Sequence, residues 1–545
     1  MNIEHFIYNL SQQKVFLTAN EGQLTVEGPV SVLTEEVKNT LRHRKPEIID
    51  FLTEQTGQNN QKQNRFPLSH TQLCFWFVYF IMNETANNLS RLLFRTPVRS
   101  EVVEAALRSI ITEHEIFQVA FGQLSPVQTM QSMMPFTLES RDLQSLGETE
   151  QHSLVAEDVK NMMAPFYLNK APLFRFRYYQ LSETESLLVS CFPHIILDGA
   201  AMHLFETEIR KKVLVSQLGS GRTAPITTNS LRNYVNKERL KYAVHVKEQE
   251  VFWREKLTGF SWATFPKEYL CDDNARHIDR EIVIPDAFLQ KMREASIQHR
   301  VTMQMIIATI ISQAIFDVTG QTQFVVNSVL ENRVDEDEIT LMAPVLYLLP
   351  TPIRMSAGIS FDGILEQVKL HITDAQSHMD IPFSVPQGML AASRWRGVNR
   401  LLAWSAKVLS RSLSRLMPSA KLYPSFWADY LLIGSPPFSN NRLSNKKGVI
   451  SDPVININVL PNIYKTQHVR PGINERNVES LTDKHRFIPK QALDGNWEDE
   501  QIDFYVSRNG NDQIVFRITC CCLNEQGVAA LEEQLNKHMD VFCLR

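Results

Sequence analysis

The feature that most constrains this chain is a run with nothing to bury: Gln55 to Arg65 reads QTGQNNQKQNR, with no apolar side chain. Such a stretch cannot join a core and is expected to be a linker, dividing the sequence into residues 1–54 and a remainder beginning at Phe66. The remainder runs to Arg545 and exceeds the size at which one core keeps growing. Two lobes are therefore expected, at 66–235 and 236–545.

The first 54 residues carry their own rhythm. A helical stretch from Ile3 to Gln12 precedes VFLTANEGQLTVEG, whose alternating apolar and polar residues flank Asn20-Glu21-Gly22 and predict a β-hairpin. Thr34 followed by Glu35 and Glu36 predicts a helix start, and Pro46 opens a second helix ending near Glu54. Lys38, Arg42, Arg44 and Lys45 put positive charge beside an exposed hairpin edge, which suits capture of an added strand. The polar linker predicts that this small unit lies outside the larger fold.

The remainder alternates strands and helices. FRFRYYQL (174–181), SLLVSCF (186–192), REIVIP and FVVNSVL read as strands; Tyr234–Leu257, Asp286–Gln298 and Met305–Val318 read as helices. The fold class is α/β (α+β). Met305–Val318 is apolar but short and contains Gln313 and Asp317, which predicts a buried helix and no membrane span. Gly388–Ser425, with Trp395, Arg396, Arg400, Lys407, Arg411 and Arg415 among apolar residues, is expected to be a solvated helix packed on its own lobe, the alternative being an amphipathic insertion for a membrane or carrier protein.

Composition narrows the function. Charged residues make up 21% with a net charge of −4, so there is no global basic field to draw the chain onto nucleic acid. Seven cysteines show neither a disulfide framework nor zinc-site spacing, and the N-terminus has no signal-peptide pattern; a cytoplasmic protein with no metal is expected.

The chemistry concentrates where SLLVSCF runs into Pro193-His194-Ile195-Ile196-Leu197-Asp198-Gly199 and then into a helical AAMHLFETEIRKKV. A histidine at a strand-to-helix turn is held by both elements while its ring stays accessible. This segment resembles the His-His-x-x-x-Asp-Gly motif of condensation domains of nonribosomal peptide synthetases, in the superfamily of chloramphenicol acetyltransferase. Matching segments follow the family's order: Pro67-Leu68-Ser69-x-Thr71-Gln72-x-x-Phe75-Trp76-Phe77, His114-Glu115 with Phe117 and Phe121, EVFWREKLTG, the run from Met305 to Arg333, and His378-x-Asp380-Ile381-Pro382-Phe383. Residues 1–54 resemble the tubulysin-type N-terminal docking domain, an α-β-β-α-α unit that captures a short, often acidic, motif of an upstream synthetase polypeptide.

The resemblance implies two chloramphenicol-acetyltransferase-like lobes in a V shape, with His194 midway along a tunnel. A donor on the phosphopantetheine of a partner carrier protein enters from one face, and an amine or alcohol acceptor, free or carrier-bound, from the other; no cofactor is held by this chain. His194 assists attack on the thioester. Asp198 is structural and pairs with Arg333 of the other lobe, and Gly199 allows close backbone approach with an N–H for the donor or the oxyanion. Four departures from the family pattern stand out: Pro193 for the first histidine, Gln118 for an arginine, and Ala343 and Tyr347 for a glycine and an asparagine. The expected activity is amide- or ester-forming acyl transfer by a free-standing enzyme. The competing expectation, motivated by Pro193 and Gln118, is a catalytically silent scaffold in a synthetase assembly.

Overall fold

The computed structural model describes residues 3–56, 65–392, 453–459, 478–480 and 501–544, except for 14, 21–22, 30, 81–86, 124–125, 132–135, 218–229, 272–276, 334, 357 and 509–512. The N-terminal unit comprises α1 (Ile3–Gln12), β1 (Phe16–Asn20), β2 (Gln23–Glu27), α2 (Glu35–His43) and α3 (Lys45–Thr56). The two strands pair antiparallel, Leu17 opposite Val26, as the alternation predicts. Thr34 caps α2 by accepting a hydrogen bond from Val37 N.

The large unit begins with β3 (Arg65–Pro67), α4 (His70–Phe80), β4 (Asn87–Phe94), α5 (Ser100–Glu113), β5 (Val119–Phe121), β6 (Val127–Met130), β7 (Glu139–Asp142), α6 (Glu148–Met162), β8 (Arg175–Gln180), β9 (Ser186–Pro193) and α7 (Gly199–Gln217). The long helix α8 (Leu231–Leu257) leads on to β10 (Ile278–Val283), α9 (Asp286–His299), α10 (Met303–Thr319), β11 (Gln323–Glu331), α11 (Glu336–Ile339), β12 (Leu346–Arg354), α12 (Phe361–Gln376) and α13 (Ser384–Ala392). The last described elements are β13 (Val454–Val459), β14 (Val478–Ser480), β15 (Gln501–Arg508), β16 (Ile514–Cys520) and α14 (Glu525–Cys543). Trp395 to Arg415 of the expected packed helix lie outside the described residues.

Two main sheets result. One runs β14-β4-β9-β8-β7, the other β10-β16-β15-β13-β11-β12, and a small sheet β3-β6-β5 accompanies them. The 235/236 division expected from sequence falls inside α8, a single continuous helix. The late strand β14 pairs antiparallel with β4, so chain from the second half completes the first sheet. Helix α10 is the spine of the second half. Residues 304–312, Ala314 and Ile315 are all buried, Thr302 caps its start, and Gly320 ends it at φ 67°, a left-handed position that glycine takes without strain.

The N-terminal unit does not stand apart from the large one. Its apolar cluster of Ile3, Phe6, Ile7, Leu10, Val15, Leu17, Leu41, Ile48 and Leu52 includes Leu240 of α8, with Ala243 packed beside it. Tyr8 meets His245 edge to face at 5.1 Å between ring centroids. His245 Nδ1 in turn lies 2.8 Å from Asp380 Oδ2. The polar linker thus coexists with a packed interface, because Leu240, Ala243 and the Tyr8–His245 contact seat α1 on α8.

Candidate active site

Strand β9 is buried along its whole length and delivers His194 at its end. Pro193 closes the strand opposite Asn87, where a missing N–H is tolerated, and its carbonyl accepts from Ile196 N at 3.0 Å to start the turn. Asn88 Nδ2 donates to Leu197 O at 2.7 Å, holding the turn from the neighbouring strand.

The Asp198 carboxylate is fully subscribed. Oδ1 accepts from Ala201 N at 2.8 Å, so the residue caps α7 in the manner of an N-cap aspartate. Arg333 donates to the same carboxylate through Nη2 to Oδ1 at 3.2 Å and Nη1 to Oδ2 at 3.3 Å, and Val345 N donates to Oδ2 at 2.8 Å. Both partners of the ion pair are nearly solvent-free, with side chains 4% and 2% exposed, so the charges have no water to fall back on. Arg333 Nη2 also donates to Ala343 O at 2.7 Å; the contact is to backbone, so alanine meets the requirement at that position.

The imidazole of His194 lies against Phe75, ring centroids 4.2 Å apart and planes inclined by 21°. Its Nδ1 is buried and makes no hydrogen bond to another described residue. Burial pushes the His194 pKa below its ordinary 6.5, while its own backbone and Asp198 pull the other way. The ring is therefore neutral at pH 7 and able to accept a hydrogen bond or a proton. Gly199 is exposed as the first residue of α7, among the N–H groups that a helix leaves free at its start.

The other expected residues take different places. Gln118 donates to the carbonyls of Ile111 and Thr112 near the end of α5. Tyr347 is buried and its hydroxyl has no hydrogen-bond partner among the described residues. His114 lies 2.9 Å from Glu208, and the neighbouring Glu113 is bound by Lys212 Nζ at 2.8 and 2.9 Å. Glu113, His114 and Glu208 have the spacing of metal ligands, but the Lys212 ammonium already supplies a cation there. On the N-terminal unit, Lys38 pairs with Glu35 at 2.9 Å and Arg44 with Glu47 at 2.8 Å. Part of the charge expected to face a partner is thus engaged within the helices, while Arg42 donates to Asn39.

Sequence inspection missed the stack of Phe75 on His194, although the residue sits in a quoted motif, because a helix buried on most faces gives no periodic signal for one ring. It also missed the Val345 N–H, which no side-chain pattern can encode.

The class of protein is defined by these features together with likeness to known proteins. The condensation-domain family model matches residues 62–404, and the TubC N-terminal docking domain model matches residues 3–54. This chain belongs to the condensation-domain family, in its nonribosomal peptide synthetase setting, and carries an N-terminal docking domain. It is 23% identical over 410 residues to bacitracin synthase 2 of Bacillus licheniformis, which covers 70% of this chain and 15% of that relative. It is 22% identical over 331 residues to the phosphinothricin tripeptide synthetase PhsC of Streptomyces viridochromogenes, 58% of this chain and 30% of the relative. The chain thus spans less than a third of the length of either relative. Among solved structures, the first condensation domain of the CDA synthetase matches at TM-score 0.58 and 15% identity, over 88% of this chain and 97% of that one. The EpoB cyclization-docking bidomain from Sorangium cellulosum matches at TM-score 0.59 and 14% identity, over 99% and 97%. These likenesses establish the mixed α/β fold of the chloramphenicol-acetyltransferase type.

Proposed function

We propose that this chain transfers an acyl group from the phosphopantetheine thioester of a partner carrier protein to an amine or alcohol, with His194 as the central group. The lone pair of the acceptor nitrogen or oxygen attacks the thioester carbonyl carbon, the C–N or C–O bond forms, the C–S bond breaks, and the acceptor's proton passes to the departing thiolate, which leaves as the thiol. The observation that carries the reading is the His194 imidazole at the head of α7, stacked on Phe75 and carried on a turn fixed by the Asp198 and Arg333 pair. His194 orients the nucleophile or relays its proton. Asp198 has no lone pair left for substrate, so it acts by holding the turn. The Gly199 N–H supports the donor carbonyl as negative charge develops on its oxygen.

The docking unit, with Lys38, Arg42, Arg44 and Lys45, recruits an upstream synthetase polypeptide. The reaction belongs to the cytoplasm, where acyl carriers are loaded. The test is intact mass of an acyl-loaded carrier mixed with an amine and either wild-type protein or His194→Ala. Wild-type-specific loss of the acyl mass supports the enzyme. Carrier binding without transfer by either protein would favour the scaffold.

A further inference from the structure

We infer that Phe75 is a positioning residue for His194, fixing the plane of its imidazole. The inference rests on the acyl-transfer reading for its catalytic meaning, but its geometry stands alone. An imidazole at the end of a strand keeps free rotation about its Cβ–Cγ bond unless something holds the ring. Here Nδ1 has no hydrogen bond to another described residue, Pro193 offers no side-chain donor beside it, and the ring's contact with its own backbone lasts only while the plane is held. One face of the ring is covered by Phe75 at 4.2 Å, a stacked arrangement of the kind aromatic pairs adopt.

A positioning group must itself be fixed, and α4 is pinned along its length. Ser69 and Gln72 bond each other across the helix start, Ser69 N to Gln72 Oε1 at 3.0 Å and Gln72 N to Ser69 Oγ at 3.1 Å. Trp76 Nε1 donates to Gly122 O at 2.6 Å, and Tyr79 Oη to Asn87 Oδ1 at 2.8 Å. Thr71 Oγ1 donates to Leu346 O at 3.0 Å, reaching the first residue of β12. The residue before it, Val345, is the one whose N–H holds Asp198. The turn that carries His194 and the helix whose ring stacks on it therefore hang from adjacent residues at the start of one strand, so the two are kept in register with each other.

The experiment compares Phe75→Leu, which keeps apolar volume and removes the ring, with Phe75→Tyr, which keeps the ring. The first readout needs no activity: long-range 15N–1H spectra of chain labelled at its 15 histidines, with the His194 ring assigned by its loss in His194→Ala. Wild type and Phe75→Tyr are expected to show one neutral tautomer, with well-separated Nδ1 and Nε2 shifts. Phe75→Leu is expected to show shifts drawn together by tautomer averaging, because a ring free to turn loses the contact with its own backbone that favours one tautomer. The second readout is kinetic: kcat falls roughly 10- to 100-fold in Phe75→Leu, as displacement of a reacting group does, with KM within about twofold and Phe75→Tyr restoring the rate. If Phe75→Leu does not fold, Phe75→Met replaces it. Unchanged ring shifts in the ring-less variant overturn the inference, as does equal loss of rate in the tyrosine variant. Averaged shifts in Phe75→Leu without turnover in any protein, wild type included, would uphold the positioning and sink the acyl-transfer reading.

Discussion

Arg333 and Asp198 lie 135 residues apart in sequence, yet two hydrogen bonds of 3.2 and 3.3 Å join them in a site that excludes water. Their contact ties the turn bearing His194 to the segment between β11 and β12. Asp198→Asn keeps one acceptor but turns an N–H₂ toward donors already aimed at that carboxylate. The arginine loses its bonded counter-charge in a buried site, at a cost of about 3–5 kcal/mol. Thermal melting should register a clear fall in Tm together with lost transfer. A variant of unchanged Tm and no activity would give Asp198 a direct part in the chemistry.

His194→Ala removes the stack on Phe75 but no hydrogen bond to another described residue. The variant should fold, with a stability loss of roughly 1–2 kcal/mol from the vacated space, well below that of Asp198→Asn. Denaturant titration of the two variants side by side checks this ranking. A larger loss in His194→Ala would mean that the ring serves the core.

Removing residues 1–63 exposes Leu240 and Ala243 on α8 and strips Tyr8 from His245. A chain beginning at Asn64 should therefore melt lower than the full chain, by several degrees, and Leu240→Ser in the full chain should move Tm the same way. Charge reversal at exposed Arg42 and Lys45 should leave Tm within a degree or so, since exposed charges contribute little to stability. Coincident melting curves for the full and shortened chains would show that the interface contributes nothing.

Glu238 gives the protein a pH signature. Burial raises its carboxyl to about 8, partly opposed by hydrogen bonds from His70 N and the Tyr234 hydroxyl; the nearby Glu338 raises it further and Lys241 lowers it. The folded state thus keeps a proton that the unfolded chain, near the ordinary 4.5, has released. Stability contributed by this group is present below pH 4.5 and declines as pH rises toward about 8, with a slope of up to about 1.4 kcal/mol per pH unit. Glu238→Gln can keep both contacts without the charge, so its denaturation midpoint should vary less between pH 5 and 8. An identical slope in the two proteins would refute the assignment.

The parts of this fold legible in sequence are those written in local periodicity. The alternation around Asn20-Glu21-Gly22 gives the hairpin, and the apolar run of β9 ending at Pro193 gives the strand that presents the histidine. Arg333 was accessible through motif resemblance, because no local pattern links it to Asp198. What stayed hidden is tertiary. The three residues of β14 carry too little pattern to announce that they complete a distant sheet. The seat of the docking unit rests on Leu240, Ala243 and His245 within a helix that reads as amphipathic, whose pattern does not say which partner its apolar residues meet, so a polar linker suggested independence where the surfaces pack.

Whether His194 serves acyl transfer is tested most directly with a carrier protein bearing an octanoyl-phosphopantetheine. The carrier is mixed with an amino acid amine and either the wild-type chain or His194→Ala at matched folded concentration, and the intact mass of the carrier and the amide product are followed in time. Octanoyl loss and amide appearance are expected with wild type, and only the enzyme-free background rate with His194→Ala. Equal amide formation by both proteins, above that background, would contradict the catalytic role of His194.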